Sequence, residues 1–93
     1  MSLEFFSNDR YKILQCMIDR QIEVRGQAIV PLSQQDIADM VQFSKKKVNT
    51  IIGELKEYGY IKQQSSTRGK YLLTDKAVYA VAKIQKEEAD SNV

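Results

Sequence analysis

Lys45, Lys46 and Lys47 follow Ser44 without interruption, and Asn49, Thr50 and Gly53 come soon after. Ammonium groups bind anions, and a short amide or hydroxyl can exchange hydrogen bonds with a polar ligand edge. A helix must position them. Ser44 can cap it through its hydroxyl. Val48, Ile51, Ile52 and Leu55 then recur at helical spacing and make one apolar face. At about 100° per residue, Lys46, Asn49, Thr50, Gly53 and Glu57 fall opposite Val48, with Lys45 and Lys47 on the flanks. Gly59 supplies the stop, because it can take the left-handed conformation that helix ends often need. All three lysines lie in the first turn, where the helix dipole favours acids. An external anion would offset that cost; a solvated helix with a chance lysine cluster is the alternative.

The positive charge is concentrated. Residues 45–70 hold seven basic and two acidic residues, whereas residues 1–44 hold four basic and six acidic, and residues 71–93 three basic and four acidic. A net charge of +2 over 93 residues hides this field, which suits a polyanion-binding face. Other chemistries lack their residues. There is no His and Cys16 is alone, so no metal site of the usual ligands, no cofactor and no disulfide framework is expected. No catalytic triad, glycine-rich phosphate loop or long apolar run occurs, so neither an enzyme nor a membrane span is expected. MSLEFF is too short and too acidic for a signal peptide, which makes a cytoplasmic protein the expectation.

The chain reads as a single domain over residues 1–93, mainly α with a small β-hairpin, in the order α-β-α-α-β-β-α. Ser7 or Asn8 caps a first helix over about residues 8–25, with Phe6 placed to pack on Tyr11. Tyr11, Leu14, Ile18 and Ile22 mark its core face, and Ile13 and Met17 form a second apolar strip. Cys16 reads as a small apolar residue. Ala28 to Leu32 reads as a brief strand, which Pro31 confines to an edge or an end. Ser33, with Asp36 three residues on, caps a helix whose inner face is Ile37, Ala38 and Val41. The short link to the Ser44 helix forces a steep crossing, so residues of about 33–58 form a helix-turn-helix. Residues of about 60–73 form a hairpin with Arg68 and Lys70 near its tip. Thr74 caps a last helix over about 75–88, with Ala77, Ala80, Val81 and Ile84 on its core face.

This order, and LSQQDIADMVQFSKKKVNTIIGELKEYGYIKQ in particular, resembles the winged helix-turn-helix domain of bacterial regulators. Ser33, Ile37, Ala38, Ser44, Val48, Leu55, Gly59 and Ile61 stand where that pattern wants them. Residues 32–64 are similar to the DNA-binding domain of cAMP-receptor-type activators. Tyr71-Leu72-Leu73-Thr74-Asp75-Lys76 instead resembles the YxLTxKG segment of MarR-type repressors, with Ala77 in place of the usual Gly. Many relatives carry Arg where this chain has Thr50, and Thr or Ser where it has Lys47. An arginine–guanine contact from position 50 is therefore unavailable, and the helix is weighted toward phosphate contacts.

The resemblance implies sequence-specific binding of double-stranded DNA by a small homodimeric transcriptional regulator. Lys46, Asn49, Thr50 and Gly53 would face base edges; Ser44, Lys45 and Lys47 would hold phosphates; Arg68 and Lys70 would meet backbone or minor groove. A plasmid or phage replication or partition protein would use the same domain, and a winged-helix protein-interaction module is the reading without DNA. The concentrated charge argues against the last. Any small-molecule effector is unknown. Ile13 and Met17 on the first helix, and Val78, Tyr79 and Ala82 on the last, exceed what one core face uses. They are the expected seam of a two-fold dimer presenting two recognition helices about 34 Å apart.

Overall fold

A computed structural model describes residues 8–63 and 71–91, with side chains over 9–63 and 71–87. The elements are α1 (Asn8–Asp19), β1 (Ile22–Val24), β2 (Gln27–Val30), α2 (Gln34–Val41), α3 (Lys45–Glu57), β3 (Ile61–Gln63), β4 (Tyr71–Leu73) and α4 (Asp75–Ser91). Four helices and a four-stranded antiparallel sheet of order β1-β2-β4-β3 make a winged helix-turn-helix. The wing pairs Ile61 with Leu73 and Gln63 with Tyr71. Its tip, with Arg68 and Lys70, lies outside the described residues, as does the Phe6 staple.

Capping chemistry sets the helix-turn-helix. Ser33 and Asp36 form a reciprocal capping box: the Asp36 backbone N–H donates to Ser33 Oγ at 3.1 Å, and the Ser33 backbone N–H donates to Asp36 Oδ2 at 3.0 Å. Helix α2 ends where Gln42 turns left-handed at φ 61°, and Phe43 N–H bonds the Ala38 carbonyl at 3.1 Å. Ser44 then caps α3, its hydroxyl accepting from the Lys47 N–H at 3.1 Å. Gly59 takes φ 81° after α3, as its place at the helix stop requires. Thr74 joins three elements: its one hydroxyl proton is shared between the Gly59 and Tyr60 carbonyls, 2.8 and 2.9 Å away, and its oxygen accepts from the Ala77 N–H at the start of α4.

Two expectations fail at the N-terminal third. The first helix stops at Asp19 rather than near residue 25. The chain forms β1, a strand that the apolar periodicity does not announce, so the order is α-β-β-α-α-β-β-α. Arg25 (φ 53°) and Gly26 (φ 79°) make a two-residue hairpin turn with Val24 paired to Gln27. Positive φ at both central residues matches the twist of antiparallel strands. Gly26 thus closes a hairpin rather than a helix, and Ile22 is 49% exposed on β1 instead of lining the core.

The second failure concerns the dimer seam. Ile13 and Met17 are fully buried, together with Leu14. Helix α1 packs against α2, α3 and α4, so two apolar strips serve one core. Ile13 and Met17 are therefore core residues and not an interface. Val78 and Tyr79 do stand outside the core, at 43% and 68% exposure, and Ala82 is exposed. Cys16 is half-buried with its Sγ 3.7 Å from Met40 Sδ, and burial pushes its thiol pKa up. It is a packing residue held as the thiol.

Candidate nucleic-acid interface

Helix α3 is split lengthwise. Val48, Ile52 and Leu55 are fully buried and Ile51 nearly so, anchoring its back to the core. Lys46, Asn49, Thr50 and Gly53 form one exposed stripe along its front. Lys45 and Lys47 flank the stripe at the capped end. The structure thus brings together Ser44, Lys45, Lys46, Lys47, Asn49, Thr50 and Gly53 on a single rigid element.

The side chains of this face differ in what they have left to offer. The Thr50 hydroxyl donates to the Lys46 carbonyl at 3.1 Å, so it presents only an acceptor and a methyl group outward. Nothing lies within 4 Å of where a Gly53 Cβ would sit, which removes tight internal packing as the reason for this glycine. Gly53→Ala should accordingly raise stability by about 0.5–1 kcal/mol, measured by thermal unfolding. A fall in DNA affinity alongside that gain assigns Gly53 to close approach of the duplex; unchanged affinity assigns it to a tolerated surface position. Toward the C-terminal end, Lys56 Nζ donates to Gln63 Oε1 at 2.8 Å and ties α3 to the wing.

Two further residues join this face, and sequence reasoning missed both. Asp9 and Arg10, in the first turn of α1, reach across to α3. Arg10 makes a two-pronged pair with Glu54, with Nη2–Oε2 at 2.6 Å and Nε–Oε1 at 3.3 Å. The hydrogen bond to Glu54 raises the Arg10 pKa further, so the guanidinium stays charged. Asp9 Oδ2 lies 2.6 Å from Lys47 Nζ, which also sits 4.3 Å from the centre of the Phe43 ring. An open cleft of about 390 Å³ runs along this seam, lined by Asp9, Arg10, Ser44, Lys46, Lys47, Thr50 and Ile51. In sequence, Asp9 reads as a helix-start acid, and no local pattern announces its partner 38 residues on. Among the described residues no group of three His, Cys, Asp or Glu side chains could hold a metal, and no helix is long and apolar enough to cross a membrane.

The family model of the Crp-like helix-turn-helix domain matches residues 12–78, most of the described fold. The chain belongs to the Crp-like helix-turn-helix domain family. Within that assignment, the MarR-type likeness at residues 71–76 is secondary. The Crp-like fold is shared with the reduced CO-sensing protein from R. rubrum, at 25% identity and a TM-score of 0.73 over 86% of this chain and 37% of that one. A CRP/FNR-family transcriptional regulator from Thermus thermophilus matches at 25% identity and a TM-score of 0.62, over 82% of this chain and 39% of that one. This Crp-like chain therefore spans less than two-fifths of either protein. TubR from Bacillus thuringiensis serovar israelensis, solved bound to 24 bp of tubC, matches at 27% identity and a TM-score of 0.62, over 87% of this chain and 83% of that one. None of the curated proteins matches the chain.

Proposed function

We propose that this Crp-like domain binds double-stranded DNA with α3 in the major groove, as a small homodimeric transcriptional regulator. One observation carries the reading. The buried back of α3 holds a basic, short-chained polar stripe outward from a capped N-terminus. A helix of this kind fits the major groove, where bases display distinct hydrogen-bond patterns. Lys45 and Lys47 hold phosphates, and Lys46, Asn49 and Thr50 meet base edges. Arg68 and Lys70 add wing contacts. Val78, Tyr79 and Ala82 on α4 supply the apolar dimer seam, now without the α1 residues.

The test is selection of bound duplexes from a random pool at physiological salt, which should return a palindromic site. A pool that yields no enriched sequence overturns sequence-specific binding. Asn49→Ala should then lower the preference for the selected site by about 1–3 kcal/mol while random DNA binds as before, since a bidentate amide–adenine contact carries that discrimination. Equal losses on both would reduce Asn49 to a positioning residue.

A second reading, plasmid partition, is favoured by the extent of the likeness to TubR, a protein of type III plasmid segregation. That match spans 83% of the TubR chain, against 37% for the CO-sensing protein and 39% for the CRP/FNR-family regulator. A plasmid that carries the selected site and is inherited more stably when the protein is present would select it.

A further inference from the structure

We propose that Asp9 is a built-in competitor for the DNA backbone, occupying Lys47 in the free protein and lowering affinity for every duplex. The inference rests on the phosphate role given to Lys47 above. Three observations support it. The Asp9 carboxylate sits 2.6 Å from the Lys47 ammonium, the place a phosphate oxygen would take. Both side chains remain open to solvent, at 43% for Lys47 and 41% for Asp9, so a ligand can reach the pair and displace one partner. The α1 backbone that carries Asp9 stays in place once the pair opens. Its neighbour Arg10 is pinned to Glu54, and Ile13 and Leu14 one turn later are fully buried.

The spacing explains the arrangement. Lys47 and Glu54 are seven residues apart and share one side of α3. Adjacent residues of α1 meet them with opposite charges, acid to base and base to acid. The Arg10 pair, two-pronged and half-buried, holds the helices together. The Asp9 pair is single and exposed, which makes it the weaker of the two. DNA binding must therefore break the weaker link while the stronger keeps α1 in place. Lys47 exchanges one anion for another, and the freed carboxylate draws a cation that offsets one released from the DNA. The freed carboxylate then stays beside the phosphates that displaced it.

The experiment measures duplex affinity against salt for the wild type, Asp9→Asn, Lys47→Ala and the double variant, on a selected and on a random duplex. Asp9→Ser, which keeps a small polar residue in the first turn, serves as a second replacement. Both Asp9 variants should bind both duplexes roughly two- to fivefold more tightly at about 0.1 M salt, the range set by an exposed ion pair. Their log K against log salt should steepen by about one unit. In the Lys47→Ala background the gain from Asp9→Asn should shrink. Unchanged affinity and slope, or weaker binding, overturns the proposal, the latter making Asp9 a brace for Lys47. A gain undiminished in the Lys47→Ala background also overturns it, because the carboxylate then acts on the DNA directly. A wild type that binds no duplex overturns the DNA-binding reading and this inference together, whereas a binding wild type with silent Asp9 variants overturns this inference alone.

Discussion

Replacing Lys45, Lys46 and Lys47 together with alanine is expected to cost about a hundredfold or more in affinity on every duplex near physiological salt. The slope of log K against log salt should become shallower by about two units, roughly one for each phosphate that Lys45 and Lys47 no longer hold. The fold should not suffer. All three side chains are exposed, and their charges oppose the dipole of the helix they begin. Removing a misplaced charge from a first turn is worth about 0.3–1 kcal/mol, against the loss of one exposed pair with Asp9. Thermal unfolding of the triple variant should therefore occur at or above the wild-type temperature. A variant that binds DNA normally would remove α3 from the interface. One that unfolds early would show that the lysines serve structure, contrary to their exposure.

That opposition of stability and binding is the part of the site most open to reading from sequence. Ser44, the lysine run and Val48-Ile51-Ile52-Leu55 specify a capped, two-faced helix through local rules alone, and the structure places every one of them accordingly. Ser33 with Asp36, Gly59 and Thr74 follow the same logic, because each cap or stop is decided within a few residues. What local rules do not contain is tertiary company. A helix packed on three sides carries two apolar strips, and so does a helix with one core face and one partner. Ile13 and Met17 have the same sequence appearance in both cases. The Arg25-Gly26 turn lacks the Asn-Gly or Asp-Gly pair that usually announces such a hairpin, so Ile22 has the look of one more helical position. Asp9 behaves likewise: acids at helix starts are common, and only the packing of α1 on α3 turns this one toward Lys47.

A charge at Met17 should unfold the protein, and a charge at Tyr79 should leave it folded and monomeric. Met17 is fully buried among Ile13, Leu14 and the other core side chains, and among the described residues the buried core holds no polar or charged side chain. An unpaired carboxylate placed there costs several kcal/mol in desolvation, comparable with the whole stability of about 5–15 kcal/mol expected of a small domain. Met17→Asp should thus lose cooperative thermal unfolding. Met17→Ala should fold with a loss of about 2–5 kcal/mol. Tyr79 is 68% exposed, so Tyr79→Glu should change stability by no more than about 0.5 kcal/mol. Its effect falls on assembly. Val78, Tyr79 and Ala82 are the apolar residues of the proposed seam that stand outside the core. A carboxylate among them, facing its own copy across a two-fold axis, meets both desolvation and like charge. Sedimentation at micromolar concentration should then show a wild-type dimer and a Tyr79→Glu monomer with the same unfolding curve. A Tyr79→Glu protein that sediments as the wild-type dimer moves the seam away from α4. A wild type that sediments as a monomer, with and without DNA, removes the dimer and leaves the apolar stripe of α4 to a different protein.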